Sequence, residues 1–234
     1  MYRFSRSETV ARRVKHEKGE QFMKKEKYLL FISIMFFAVL IWSAIRPRDY
    51  FTWVLEVAPG VAGFIILCVT YKRLRFTDFI YTMILIHCCI LFVGGHYTYA
   101  EVPLFHWVKE WVHGVRNNYD KVGHFAQGFF PALIARELLI RLKIVNSKVW
   151  TGIFVISIAL AISALYELIE WWTALLTGES AEAFLGTQGY VWDTQSDMFW
   201  ALIGALMAVI FLSKYHDTKI AKIEKEQELT QGHV

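Results

Sequence analysis

The sequence predicts an all-α protein: a polytopic membrane domain of six transmembrane helices, with one amphipathic helix lying on the outer face. Three observations carry this. Of the 234 residues, 56% are hydrophobic and 16% aromatic, against the roughly 45–50% apolar share of soluble domains. Charged residues crowd into the two ends and a few short connectors, leaving several apolar stretches of about 18 residues or more, the length that crosses hydrocarbon. The basic residues fall in alternate connectors, as the excess of Lys and Arg in cytoplasmic loops requires. The chain therefore divides into a basic tail over 1–27, a transmembrane domain over 28–212 and a charged tail over 213–234.

Residues 1–27 are polar and basic, from Arg3 and Arg6 to Lys24, Lys25 and Lys27. The first span is 28–45. Its apolar run exceeds the ~7–15 residues of a signal-peptide core and lacks a small-x-small cleavage site. Pro47 stops its continuation. The second span, 51–71, is interrupted by Glu56 and by Pro59-Gly60, where a kink is expected. A basic turn, Lys72-Arg73-Leu74-Arg75, leads to the third span, 79–95, which closes on Gly94-Gly95-His96.

Over 99–116 the pattern changes. Leu104, Val108, Trp111, Val112 and Val115 share one helical stripe, and His106, Lys109, Glu110 and His113 share another. That is a helix lying on the membrane surface, with Trp107 and Trp111 at headgroup level. The fourth span is 119–142, followed by a basic connector over 143–148 and a fifth span over 149–176. Residues 177–192 form a polar, acidic loop without lysine or arginine. The sixth span is 193–212, and 214–234 reads as a solvated Glu/Lys helix that frays at its end.

With the N-terminus inside, the outer segments keep Arg46, Arg48, Lys109, Arg116 and Lys121, five of the 25 basic residues. An even number of spans returns the C-terminus to the inside, so both termini are expected in the cytoplasm. The net charge of +4 is no nucleic-acid signature, because the basic residues follow topology rather than one face. Cys68, Cys88 and Cys89 all lie inside apolar segments, which argues against a disulfide framework, and their spacing is not that of a zinc site. They read as small core residues.

The candidate site centres on Ser163-Ala164-Leu165-Tyr166-Glu167-Leu168-Ile169-Glu170-Trp171-Trp172. An ionisable side chain at membrane depth costs roughly 2.5–3.5 kcal/mol on insertion scales and faces a protein-lined or wet interior. Glu167 and Glu170 are three residues apart and share a helical face with Ser163. The topology brings further polar groups to the same depth, the outer third of the membrane: Asp120 and His124 with Gln127, Asp193 with Asp197, and His96. Carboxylates and an imidazole from facing helices are the ingredients of a buried metal site, with His124, Glu167, Glu170, Asp193, Asp197 and Asp120 as candidate ligands. Oxygen ligands favour Mg²⁺, Ca²⁺ or Mn²⁺, and histidine widens the choice to Zn²⁺ or iron. The same groups suit general acid–base work or a proton relay, with Glu167, Glu170, His124 and Asp197 as the catalytic core.

Plainer roles compete. Asp120 and Asp193 begin helices, where an aspartate caps free N–H groups. Lys121 can neutralise a neighbouring carboxylate, and Glu170 can sit solvated at the interface. Glu167 and Asp197 lie past any capping position. His87, mid-span, reads as a satisfied interior histidine, Glu56 is ambiguous, and Arg136, beside Glu137 near the inner end, can snorkel.

Three segments carry a resemblance: Asp120-Lys121-Val122-Gly123-His124-Phe125, Tyr166-Glu167-Leu168-Ile169-Glu170-Trp171, and the stretch from Gly186 through Tyr190 and Asp193 to Asp197-Met198. Together they resemble the YjdF-type family of bacterial inner-membrane proteins over about 30–212, and more distantly VanZ-like proteins. Tyr190 departs from the aspartate expected of the family there, and the basic N-terminal extension is peculiar to this chain. The resemblance implies a multi-pass protein of the bacterial plasma membrane with an outer polar cluster. VanZ-like proteins are associated with glycopeptide-antibiotic tolerance, which points to cell-envelope lipids. The expected function is a metal-dependent or acid–base membrane enzyme on a lipid-linked envelope substrate, with a divalent cation as cofactor and membrane lipid as partner. A proton-coupled transporter and a non-catalytic membrane scaffold are the alternatives; the absence of inverted repeats counts against the first, and so many ionisable groups at one depth count against the second.

Overall fold

The computed structural model describes residues 6–177 and 187–231, with side chains from residue 19 to 228 except 21 and 22. Most of the acidic loop expected over 177–192, through residue 186, lies outside the described residues, as do the two chain ends. Among the described residues there are seven helices and no strand. They are α1 (Arg6–Ala44), α2 (Tyr50–Thr70), α3 (Asp78–Tyr97), α4 (Pro103–Trp111), α5 (Tyr119–Arg141), α6 (Lys148–Thr177) and α7 (Asp193–Gln231).

Five of them, α1, α2, α3, α6 and α7, are long and apolar enough to cross a membrane. The helix α5 is not in that set, since its 23 residues include Asp120, Lys121, His124, Arg136, Glu137 and Arg141. Of these, Asp120, His124, Arg136 and Glu137 are buried against protein. Partner helices thus enclose the ionisable groups that would be costly facing hydrocarbon.

Helix ends follow local chemistry. The Asp49 carboxylate accepts a hydrogen bond from Thr52 N–H at 2.6 Å and caps α2, a bond that holds its carboxyl below the usual range. The Thr77 hydroxyl accepts from Ile80 N–H at 3.3 Å and caps α3. At the other end of α3, Thr98 adopts a left-handed conformation (φ 56°) and Tyr99 N–H closes onto Gly94 O at 2.9 Å. Helix α2 runs unbroken through Pro59, and the bare Gly60 beside it admits the Phe92 ring.

Three expectations change. Cys68, read as a core residue with Cys88 and Cys89, lies on the exposed face of α2, while Cys88 is buried. The amphipathic segment predicted over 99–116 is helical only over Pro103–Trp111. His113 turns left-handed (φ 52°) and Gly114 N–H bonds Lys109 O at 2.8 Å, so Val115 leaves the stripe. The last span, expected to end at 212, continues without interruption to Gln231, and His216, Ile220 and Ile223 remain buried beyond that point.

Helices α5 and α7 run side by side in the same direction. A Cβ on Gly128 would overlap the Ala201 backbone, and one on Gly204 would overlap Phe125 O. Small residues at both surfaces let the two backbones touch. Ala132, Leu133, Ala205 and Ala208 continue that seam into the main core with Val155 and Ala159 of α6. On α6 the buried residues Thr151, Val155, Ala159, Ser163, Glu167 and Glu170 form one stripe, while Leu165, Leu168, Trp171 and Trp172 are exposed.

Candidate functional site

The site lies where α2, α5, α6 and α7 meet, at the starts of α2, α5 and α7 and the end of α6. The parallel seam between α5 and α7 brings Asp120 and His124 alongside Asp193 and Asp197, and the α6 stripe delivers Glu167 and Glu170. His124 is the hub. Its Nε2 is 3.3 Å from Asp120 Oδ1 and 3.8 Å from Asp197 Oδ2. Its Nδ1 is 3.3 Å from Gln127 Oε1 and 3.8 Å from Glu167 Oε1. All six sequence-predicted residues are buried.

Two cations brace the cluster. Arg116 spans from Asp120 Oδ2 at 2.9 Å to Asp193 Oδ1 at 2.5 Å and donates to the Thr187 carbonyl at 3.0 Å. Lys121 reaches Ser196 Oγ at 2.6 Å and Asp197 Oδ1 at 3.2 Å, the neutralising role expected of it. The Tyr190 ring lies under both, 5.6 Å from the Arg116 guanidinium and 5.3 Å from Lys121 Nζ. Gln188 locks this lid to the start of α5: its Oε1 accepts from Asn117 N–H at 3.0 Å and its Nε2 donates to Asn117 O at 2.8 Å.

The far side of His124 opens on a cavity of about 20 Å³ lined by Glu56, Tyr99, Gln127, Tyr166 and Glu170 among others. That is room for about one water or ion. The Tyr166 hydroxyl donates to Glu56 Oε2 at 3.1 Å. The Tyr99 ring fits only because Gly94 and Gly123 carry no side chain; a Cβ on either would collide with it.

Several readings of the sequence are corrected. Neither Asp120 nor Asp193 is given over to capping: both face Arg116, and Asn117 Oδ1, at 3.1 Å, takes the Tyr119 N–H instead. Glu170 is buried rather than solvated. His96 does not join the cluster. It stacks on Trp42 at 4.7 Å, and its Nδ1 lies 3.0 Å from Ser43 O. The helix that joins α5, α6 and α7 at the cluster is α2, through Glu56, a residue ambiguous in the sequence. His87 stacks on Phe130 at 5.2 Å, but its Nε2 has no hydrogen-bond partner among the described residues, so it is interior without being satisfied. Ser163 Oγ likewise has none.

Arg136 is buried and paired with Asp217 at 2.5 Å instead of snorkelling. Beside it stands a second hub that the sequence did not reveal. Glu137 accepts from Thr77 N–H at 2.8 Å, Thr77 Oγ1 at 2.7 Å and Arg141 Nη1 at 3.0 Å, and pairs with His216 Nε2 at 3.0 Å. Every acceptor position there is filled, which marks a structural junction of α3, α5 and α7. Arg116, Tyr190, Gln188 and Tyr99 were also missed. The one signal for them was that Arg116 lies four residues before Asp120.

Chemically, Asp120, His124 and Asp197 each offer one ligand atom, all within 4.8 Å of one another, so the three can hold one cation. The remaining carboxylates surround that position. The family described as Predicted membrane protein (DUF2238) matches residues 28–218. Inner membrane protein YjdF of Escherichia coli (strain K12) is 52% identical over 178 residues, covering 76% of this chain and 85% of that protein. No solved structure matches.

Proposed function

The chain belongs to the DUF2238 family of membrane proteins, and from that premise we propose a multi-pass inner-membrane protein whose outer-end cluster binds one divalent cation. In this reading α5 is a sixth span, both termini are cytoplasmic, and α4 rests on the outer leaflet through its exposed Trp107 and Trp111. The outward placement of the cluster is supported by the basic inner connectors. The protein then acts on a lipid-linked envelope substrate whose headgroup lies between α4 and the cluster.

The observation that carries the reading is the convergence of Asp120, His124 and Asp197. Two carboxylates and an imidazole suit Zn²⁺, Mn²⁺ or Fe²⁺. Charge supports it. Among the described residues, Glu56, Asp120, Glu167, Glu170, Asp193 and Asp197 are accompanied by Arg116, Lys121 and one imidazole as cationic groups, and a buried excess of carboxylate needs a cation or protons. A bound ion would polarise a substrate oxygen or activate a water.

The protein's own groups divide the rest of the work. Nε2 of His124 faces the ligand position, and Nδ1 faces Gln127 and Glu167, which orient the ring as outer-shell partners do. Glu170 and Glu56 line the adjoining cavity, where they can take or supply a proton. A carrier is disfavoured because the backbones of α5 and α7 touch below the cluster at Gly128 and Gly204, and the inner hub at Glu137 is saturated.

Elemental analysis of the purified full chain tests the proposal. About one equivalent of a transition metal is expected, lost in Asp197→Asn and His124→Ala variants that still run as single species on size exclusion. A metal-free wild-type protein that also fails to take up Zn²⁺, Mn²⁺ or Fe²⁺ on titration would refute it.

A further inference from the structure

A second site lies at the opposite end of the bundle. Between α1, α3 and α7 is a cleft of about 510 Å³, lined by Lys25, Tyr28, Phe79, Lys219, Lys222 and Ile223 among others. It opens where the apolar runs of α1 and α3 begin, at the membrane face farther from the His124 cluster. The volume is in the range of small-molecule sites, roughly 300–1,000 Å³.

Its charges are unevenly matched. Lys25 is paired with Glu226, and Asp78 lies 3.9 Å from Arg75. Among the described residues Lys219 meets the Tyr215 ring, its Nζ 4.6 Å from the centroid, and neither it nor Lys222 has an acidic partner. The cleft thus carries three lysines against two carboxylates, Asp78 and Glu226, and among the described residues neither Lys219 nor Lys222 is ion-paired. The Tyr28 hydroxyl, bonded to Asp78 O at 2.8 Å and to Thr82 Oγ1 at 2.5 Å, closes one wall and ties α1 to α3. Phe79, Met83 and Ile223 give the cleft an apolar floor beneath its cationic rim. A cationic rim over an apolar floor at a membrane face matches a molecule with an anionic head and hydrocarbon chains.

We propose that this cleft binds the phosphodiester headgroup of an anionic phospholipid, with Lys219 and Lys222 on the phosphate and the acyl chains running down along Phe79 and Met83 of α3. The inference needs the face at which α1 and α3 enter the bilayer and is independent of the cation site. Inorganic phosphate shares the headgroup's chemistry, so the test separates the two.

The full chain is purified in a neutral detergent and its thermal midpoint followed as short-chain phosphatidylglycerol, the matching phosphatidylcholine or inorganic phosphate is added. Phosphatidylglycerol should raise the midpoint saturably, and the other two should not. Lys219→Gln/Lys222→Gln should weaken the apparent affinity roughly 30-fold, on the basis of about one surface-lysine contribution each. Lys219→Arg/Lys222→Arg should retain it, which separates charge from folding. Equal stabilisation by phosphatidylcholine would overturn the proposal. So would a matching response to inorganic phosphate, or a double Gln variant that binds as the wild type does.

Discussion

Gly128 of α5 lies against the backbone of Ala201 of α7 so closely that the space a Cβ would fill is already occupied. The alignment of His124 with Asp197 depends on that contact, because both sit within two turns of it on the same pair of helices. Gly128→Leu is therefore expected to separate α5 from α7 and to destabilise the protein by at least about 1–3 kcal/mol, the usual cost of overpacking. Gly152→Ala is the control: a Cβ there meets Val209 Cγ1 at an ordinary 3.6 Å. Thermal unfolding followed by size exclusion should show early loss for the first and little change for the second. Equal behaviour of the two would contradict the seam.

Glu167 faces Nδ1 of His124 rather than the Nε2 side. Glu167→Gln keeps the shape and removes the charge. Metal affinity should fall about 10–100-fold, as for other outer-shell partners, with the fold intact. Asp197→Asn should abolish binding outright. Competition with a chromophoric chelator distinguishes the two, and identical losses would place Glu167 among the direct ligands.

How far this site could be read in the sequence is clearest from His96 and Glu56. Position along the helix was legible: both residues fall near the ends of apolar runs. Rotation about the helix axis was not. Gly95 of α3 packs on the stem of Glu56, a Cβ there lying 3.0 Å from the Glu56 Cβ, so α2 turns Glu56 inward. His96 follows Gly95 by one residue, about 100° around the helix, and points to Trp42 of α1 instead. Glu167 and Glu170 were legible because a stripe spaced by three and four residues leads straight to them. The partners at Arg116, Gln188 and Tyr190 come from connectors, where no period reports which way a side chain faces.

The hub at Glu137 gives a stability prediction. Glu137→Ala leaves Thr77, His216 and Arg141 facing an empty position in a buried setting, so a loss of about 3–5 kcal/mol is expected. Denaturation in mixed micelles measures it. A loss below about 1 kcal/mol would mean that water fills the gap.

Orientation is tested by single cysteines in a cysteine-free background. Val115→Cys, at an exposed position after α4, and Gly178→Cys, which lies outside the described residues, should react with an impermeant thiol reagent from outside intact cells. Lys225→Cys should react only after the membrane is opened. The reverse pattern would invert the topology and place the cation site on the cytoplasmic side.

Helix α5 also has a consequence for biosynthesis. Its polar groups at Lys121, His124, Arg136 and Glu137 find partners at Asp197, Asp217 and His216, all on a helix that leaves the ribosome some 73 to 81 residues later. At about 5–20 residues per second, the nascent α5 waits roughly 4–16 s before its counterparts exist. A segment too polar to partition alone must spend that interval sheltered by the insertion machinery or at the membrane surface. The C-terminal helix is then the step that commits the chain, and truncation before Asp193 should yield a protein that is made and then degraded.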